Sequence, residues 1–268
     1  MPLLQLILVA VIQGLTEFLP VSSSGHLILL PALTGFDDQG QLIDVSVHVG
    51  TLGAVIAYFW SDVKLALGGF VDLARPGTDS TGKRLATGLI VGTIPVVIAG
   101  AALHFTGLSD AMRSVKVIGW TMLIFGIVLY VADQRGGNEK QVQDWTVKDA
   151  IIMGLWQAVA LIPGTSRSGI TITAARYLGY QRQSAARLSM LMSIPTIMAS
   201  GALLGAEVAL DANMAVLRDA GLAAGFAFIS ALLALTIMMR LLQYISFTPY
   251  VIYRFFLGLG LLAYAYSG

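Results

Sequence analysis

The sequence predicts an all-α integral membrane protein with six transmembrane helices and two re-entrant helical hairpins in an inverted-topology repeat. Three observations predict it. Of 268 residues, 56% are hydrophobic and only 12% charged, whereas a soluble domain carries about 25% charged residues. Long apolar runs recur along the whole chain. Two further apolar runs are interrupted by short segments rich in Ser, Gly and Pro, at 13–26 and 163–171.

The elements follow in chain order. Residues 3–19 are apolar but carry Gln13 and Glu17, and they break at Pro20–Val21–Ser22–Ser23–Ser24–Gly25 before a short apolar stretch at 27–33. The halves are too short and too closely joined for two crossings, so a helix–break–helix hairpin is expected, buried in protein or lining a wet cavity. Runs at 45–60, 85–103 and 117–132 are expected spans. Residues 147–162 repeat the hairpin form, breaking at Pro163–Gly164–Thr165–Ser166–Arg167–Ser168–Gly169 before a short helix to Leu178. Runs at 188–204, 222–239 and 251–266 complete the six. Segments 77–83 and 134–144 read as exposed turns.

The two breaks resemble each other with one extra residue in the second, and three spans follow each. Three is odd, so the second copy enters the membrane inverted. The units are 1–133 and 145–268 of a single membrane domain. Outside the hairpins the repeat is weak: Pro95 falls in the second span of its unit, Pro195 in the first of the other. Lys64, Arg75, Lys83, Arg84, Arg135, Lys140, Lys148, Arg176, Arg182, Arg240 and Arg254 gather on one face, against Arg113, Lys116 and Arg218 on the other. The rich face belongs in the cytoplasm, with both termini outside. The first hairpin then enters from the outer face and the second from the inner. Arg176, Arg182 and Arg187 read as anchors on the basic face, also able to attract anionic headgroups.

Other classes are excluded. A net charge of +1 without a basic block argues against nucleic acid. No cysteine means no disulfide, thiolate metal site or Cys nucleophile. The N-terminal run leads into Glu17 rather than a small-residue cleavage site, so no signal peptide is expected.

The chemistry lies in the breaks. Gln13 and Glu17, at i and i+4, share a helix face. Pro20 ends or kinks that helix, and the serines that follow are natural N-caps for the next. Its free N–H groups and positive dipole end make a phosphate site, with Ser23 and His26 spaced to face one ligand. The second segment adds Arg167, whose planar fork suits phosphate oxygens, in a break that also opens a helix. Two helix N-termini meeting head to head favour an anion between them, and a diphosphate has the right size and charge. Ser22, Ser24, Gly25, Gly164, Thr165, Ser166, Ser168, Gly169 and Thr171 are the candidate phosphate-binding positions. An ionisable group inside a membrane is costly, about 2.5–3.5 kcal/mol at the centre on the insertion scale, which disfavours an idle Glu17. Asp44 and His48 share the i, i+4 spacing, which suits a metal, though a structural or entrance role is the simpler reading. His104 reads as interfacial.

Gln13–Gly–Leu–Thr–Glu17–Phe–Leu–Pro–Val–Ser–Ser–Ser–Gly–His26 and Pro163–Gly–Thr–Ser–Arg167–Ser–Gly–Ile–Thr171 resemble the two signature motifs of the bacterial undecaprenyl-diphosphate phosphatase family, the bacitracin-resistance type. Length and span pattern match across the chain. The resemblance implies re-entrant hairpins in an inverted repeat. It also implies hydrolysis of undecaprenyl diphosphate to undecaprenyl phosphate and inorganic phosphate with a divalent cation, Mg²⁺ or Ca²⁺. The setting would be the inner membrane, where the carrier lipid is recycled for peptidoglycan synthesis. Partners would be the polyprenyl diphosphate and membrane lipids, and a homodimer is compatible with the sequence. Glu17, Ser22, Ser23, His26 and Arg167 fall on the family's functional positions. Two departures stand out. Many members carry Glu at the position of Gln13, so Glu17 becomes the main carboxylate, and a metal held by Glu17 and Gln13 has one fewer anionic ligand. Ser24 replaces a common Thr and keeps the hydroxyl.

The expected roles are catalytic for Glu17, Ser23, His26 and Arg167. The nucleophile is Ser23 first, His26 second, and a water activated by Glu17 third. The site is expected to open toward the periplasmic face. The competing class is a carrier or flippase for a polyprenyl phosphate, which needs the anion clamp but not a nucleophile.

Overall fold

The computed structural model describes residues 1–35, 39–75, 77, 79–107, 112, 114–208 and 214–267. Arg113 and Thr78, which figure in the charge count and the expected 77–83 turn, lie outside the described residues. Eleven helices are described: α1 (Leu3–Thr16), α2 (Ser23–Thr34), α3 (Gln41–Tyr58), α4 (Trp60–Leu73), α5 (Thr81–Thr106), α6 (Val115–Arg135), α7 (Val147–Val159), α8 (Arg167–Tyr177), α9 (Arg182–Val208), α10 (Met214–Leu241) and α11 (Thr248–Ser267). Among the described residues no strand forms.

Among the described residues five helices are long and apolar enough to cross a membrane: α3, α5, α6, the 217–241 part of α10, and α11. Their outer faces leave Ile98, Ile229 and Phe256 more than half exposed, which suits lipid rather than water. The chain is a multi-pass membrane protein. The sixth expected span, 188–204, lies within the 27 residues of α9. That helix opens with Arg182, Gln183 and Arg187 and buries Leu188, Met190, Leu191 and Met192 completely, so it forms the middle of the bundle. By contrast α1, α2, α7 and α8 have 14, 12, 13 and 11 residues. At 1.5 Å per residue the longest reaches about 21 Å, short of a roughly 30 Å hydrocarbon core.

One helix is a correction to the sequence reading. Lys64, Arg75, Lys83 and Arg84 read as lying in the loop after the first span, but 60–73 fold as α4 directly after a one-residue break at Phe59. Asp62, Lys64 and Asp72 interrupt the apolar pattern in sequence. In three dimensions Leu67, Phe70 and Val71 form an exposed apolar face, while Gly69 lies against the backbone of Gly82 in α5.

Helix starts follow ordinary capping chemistry. Ser80, Ser114 and Thr146 each accept from a backbone N–H three residues on, opening α5, α6 and α7. Packing then relies on small residues that let backbones approach, as membrane helices do. Gly14 of α1 sits on Ala227 and Ser230 of α10, Gly50 of α3 on Ala224, and Gly92 of α5 on Gly154 of α7. Helices distant in sequence pair: α1 packs on α10 and α7 on α5, while α6 pairs with α11 and α3 with α9.

The end of the bundle that carries the linker is tied by ion pairs, which corrects the reading of its arginines as simple surface anchors. Asp133 is fully buried and binds Arg176 at 3.2 Å and Arg182 at 2.7 Å, and it accepts from the Phe247 N–H at 3.1 Å. Arg187 pairs with Asp62. Arg254, counted with the same basic face, is instead wholly buried inside α11.

The Gly92–Gly154 contact gives a direct check. A side chain at 154 would strike the Gly92 backbone, so Gly154→Val is expected to destabilise the detergent-solubilised protein by about 1–3 kcal/mol, the usual cost of overpacking. Gly68, with open space where a Cβ would go, serves as control: Gly68→Val should leave the thermal midpoint within error of wild type.

Candidate active site

The two breaks share one backbone solution. α1 ends at Thr16 with Glu17 as its C-cap, and α2 starts after Ser22, whose φ is 72°. α7 ends at Val159, and α8 starts after Ser166, whose φ is 70°. Among the described residues these are the only non-glycine positions with positive φ. Each lies three residues before a glycine, Gly25 or Gly169. Such a conformation costs about 1–3 kcal/mol and persists only where its surroundings enforce it.

Those surroundings are largely the other break. The Gly164 N–H donates to Ser24 Oγ at 3.3 Å, and Ser168 Oγ donates to the Leu19 carbonyl at 2.9 Å. Ser24 and Ser168 hold the same position in the two motifs. Within each break the two serines also meet, Ser22 with Ser24 at 3.0 Å and Ser166 with Ser168 at 3.2 Å. Thr121 of α6 donates to the Pro163 carbonyl at 2.6 Å. Gly164 has φ 87° and faces Thr121 and Ile118 so closely that no side chain fits.

Between the breaks lies a cavity of about 200 Å³ lined by Glu17, Ser22, Ser23, Ser24, His48, Ala160, Gly164, Ser166 and Arg167. Its centre is an ion pair across 150 residues of sequence: Arg167 Nη2 donates to Glu17 Oε1 at 2.8 Å. Ser23 Oγ donates to Glu17 Oε2 at 3.1 Å. Gln13 Nε2 donates to the same oxygen at 2.7 Å and lies 3.1 Å from His48 Nε2. Arg167 uses one nitrogen on Glu17, and the remaining donors of its fork are available to an anion. The first amides of α2 carry no side-chain cap, whereas in α8 the Ser166 hydroxyl accepts from Gly169 N–H at 3.2 Å. The cavity thus presents a carboxylate beside a hydroxyl, a guanidinium, and helix N-termini that favour anions.

The expected site residues divide into two groups. Glu17, Ser22, Ser23, Ser24, Gly164, Ser166 and Arg167 line the cavity. Gly25, Thr165, Ser168, Gly169 and Thr171 lie behind it. Gly25 packs on Met122, Gly169 on Arg254, Thr171 bonds Ser189, and Thr165 is buried with no partner for its hydroxyl. His26 also lies off the lining. Its Nδ1 is 2.8 Å from the Ser22 carbonyl, so it donates there, and its Nε2 is 2.6 Å from the Tyr253 hydroxyl, with the rings stacked. Both ring nitrogens are engaged, so the imidazole braces the first break rather than facing the cavity.

Two contributors were not singled out by sequence, and a third, His48, was read as structural or at an entrance. His48 lines the cavity, 3.9 Å from Glu17. Tyr253 holds His26. Arg254 bonds carbonyls of both breaks. The signal for Arg254 was present: an arginine inside the apolar run 251–266 is a membrane-depth charge, and such charges are rarely idle.

Among the described residues no three His, Asp or Glu side chains cluster as a metal site. The donors that exist suit a hard divalent cation that takes most of its oxygens from a phosphate ligand. Glu17 supplies the carboxylate. Gln13 Oε1 is buried without a partner, an amide oxygen in want of a donor or a cation.

Comparison with known proteins agrees along the whole length. The family described as bacitracin resistance protein BacA matches residues 6–260. Relatives named undecaprenyl-diphosphatase are 67% identical in Ruegeria pomeroyi and 64% in Jannaschia sp., each over 100% of both chains. Another of that name, from Hahella chejuensis, is 45% identical over 98% of both chains. The chain belongs to the bacitracin resistance protein BacA family.

Proposed function

We propose that the chain is an undecaprenyl-diphosphate phosphatase. It hydrolyses the diphosphate to undecaprenyl phosphate and inorganic phosphate, so recycling the carrier lipid for peptidoglycan synthesis and conferring bacitracin resistance. The observation that carries this reading is the Ser23–Glu17–Arg167 constellation in one cavity, a hydroxyl, its base and an anion clamp within hydrogen-bond reach. Relatives at 64–67% identity bear the corresponding name.

In this mechanism the terminal phosphoryl group lies between the openings of α2 and α8. Phosphoryl transfer asks mainly for positioning and charge stabilisation. The free donors of Arg167 and the uncapped amides of α2 bind the equatorial oxygens. Ser23 Oγ attacks the terminal phosphorus while Glu17 takes its proton. The anhydride P–O bond breaks, and undecaprenyl phosphate leaves with the electron pair. Glu17 passes the serine proton to the departing undecaprenyl phosphate and, a carboxylate again, deprotonates a water that attacks the phosphoserine. The Ser23 Oγ–P bond breaks, Glu17 returns the proton to Ser23, and inorganic phosphate leaves. A divalent cation, Mg²⁺ or Ca²⁺, held by Glu17 and Gln13 would offset charge on the leaving phosphate. His26 braces Ser22, and its occupied nitrogens make it a weaker nucleophile candidate than Ser23.

The surrounding architecture, on this reading, is six spans with two re-entrant hairpins, units 1–133 and 145–268 being inverted copies in the inner membrane. The reciprocal packing of α1 on α10 and α7 on α5 supports it, as do the matching serines at the two breaks. The basic residues at the linker end support a cytoplasmic setting for that end, with the cavity opening toward the periplasm on this reading.

Purified protein given undecaprenyl diphosphate is expected to release phosphate, to stop with EDTA and to recover with excess Mg²⁺ or Ca²⁺. No release with any divalent cation would overturn the phosphatase reading in favour of a lipid carrier. Ser23→Ala should lower turnover by about 10²–10⁴-fold, the range for losing a positioned acid–base or nucleophilic partner. Substrate labelled in the terminal phosphate, quenched during turnover, should leave an acid-stable label on Ser23. An acid-labile label on His26 would reassign the nucleophile.

A further inference from the structure

Arg254 sits in the middle of α11, 0% exposed, with no carboxylate partner among the described residues. Its guanidinium is spent on backbone carbonyls. Nη2 donates to Gly164 at 3.1 Å and to Thr121 at 3.5 Å, Nε to Met122 at 3.2 Å, and Nη1 to Pro20 at 3.5 Å. Pro20 lies two residues before Ser22, and Gly164 two before Ser166. One side chain therefore bonds the same point in both breaks, just ahead of the two strained serines. The other two carbonyls belong to α6, which also holds the second break through Thr121 and Pro163.

A buried, unpaired guanidinium is expensive, and a span has no packing need for one. Its planar fork is nevertheless the one side chain that can reach several carbonyls in fixed directions. Carbonyls at a chain break have no helix partner, and pairing them fixes which way the following amides point. Gly169, in the first turn of α8, comes so close that an added Cβ would lie 2.9 Å from Arg254 Nη1. The charge thus stands behind the anion site, bonded to the carbonyl of the lining residue Gly164 without lining the cavity itself.

We propose that Arg254 is a positioning residue for the phosphatase reaction. It sets the spacing of the two breaks through their Pro20 and Gly164 carbonyls, so that the α2 and α8 openings converge on one phosphoryl group. This rests on the phosphatase reading above. Lysine keeps the charge but cannot span carbonyls of both breaks and α6. The role therefore predicts a split between binding and turnover. Arg254→Lys should lower kcat by about a hundredfold, the scale of an ångström-level misplacement at a reacting centre, with KM changed far less.

The test measures kcat and KM for undecaprenyl diphosphate in wild type, Arg254→Lys and Arg254→Gln, together with hydrogen exchange along the chain. Expected are the kcat loss and faster exchange confined to segments 18–26 and 163–170, with unchanged protection where α3 packs on α10. Near-wild-type kcat in either variant overturns the proposal. So does exchange that rises evenly in every helix, or failure of both variants to fold, because either makes Arg254 a general stabiliser. Wild type is assayed alongside. If it releases no phosphate, the phosphatase reading fails on its own, and the exchange pattern alone judges whether Arg254 holds the breaks.

Discussion

Two helical hairpins break inside an apolar bundle, and each break leaves amides and carbonyls that neither helix can use. Away from bulk water such groups must be paired within the protein. Here much of that pairing runs across the gap. Ser24 serves Gly164 of the opposite break, Ser168 serves Leu19, and Arg254 serves Pro20 and Gly164 together. Neither break satisfies its backbone alone. The positive φ of Ser22 and Ser166 persists because the partner segment, α6 and α11 hold it. Small residues on the helices around the breaks let the backbones approach closely enough for these bonds to form.

The same mutual dependence brings the charges together. Glu17 comes from the end of α1 and Arg167 from the start of α8, and among the described residues neither has a second partner of opposite fixed charge. A buried ion pair is poor evidence of stability, since desolvation offsets much of its attraction. Its value here is chemical. The pair keeps a carboxylate beside Ser23 and holds one edge of a guanidinium still, leaving the other edge for an anion. The site is preorganised, and little needs to move when phosphate arrives.

Much of this was legible from residue order. Proline, serine and glycine inside apolar runs marked both breaks, and the i, i+4 spacing of Gln13 and Glu17 placed them on one face. Glu17, Ser23 and Arg167 stand out by residue type and spacing alone, and the fold brings them to one cavity. What escaped depended on three-dimensional neighbours. Asp62, Lys64 and Asp72 made α4 look like a loop, because a helix lying along the bundle edge needs no continuous apolar run. Arg182 and Arg187 looked like surface anchors because their partners, Asp133 and Asp62, are 49 and 125 residues away. His26 has suitable spacing to face the ligand, yet Tyr253, 227 residues distant, turns it outward. Arg254 was counted as a cytoplasmic charge because the carbonyls it binds are invisible in a list of side chains.

The central claim is that the two breaks form one site whose halves act together. A double-mutant cycle on Glu17 and Arg167 measures that coupling in kcat/KM for undecaprenyl diphosphate. Glu17→Gln and Arg167→Gln should each lose about a hundredfold to a thousandfold, as for one lost charge-stabilising group. The double variant should then be no worse than about tenfold below the poorer single, because residues acting as a unit are strongly non-additive. Losses that multiply fully in the double variant would mean that the two segments act independently, and would contradict the account.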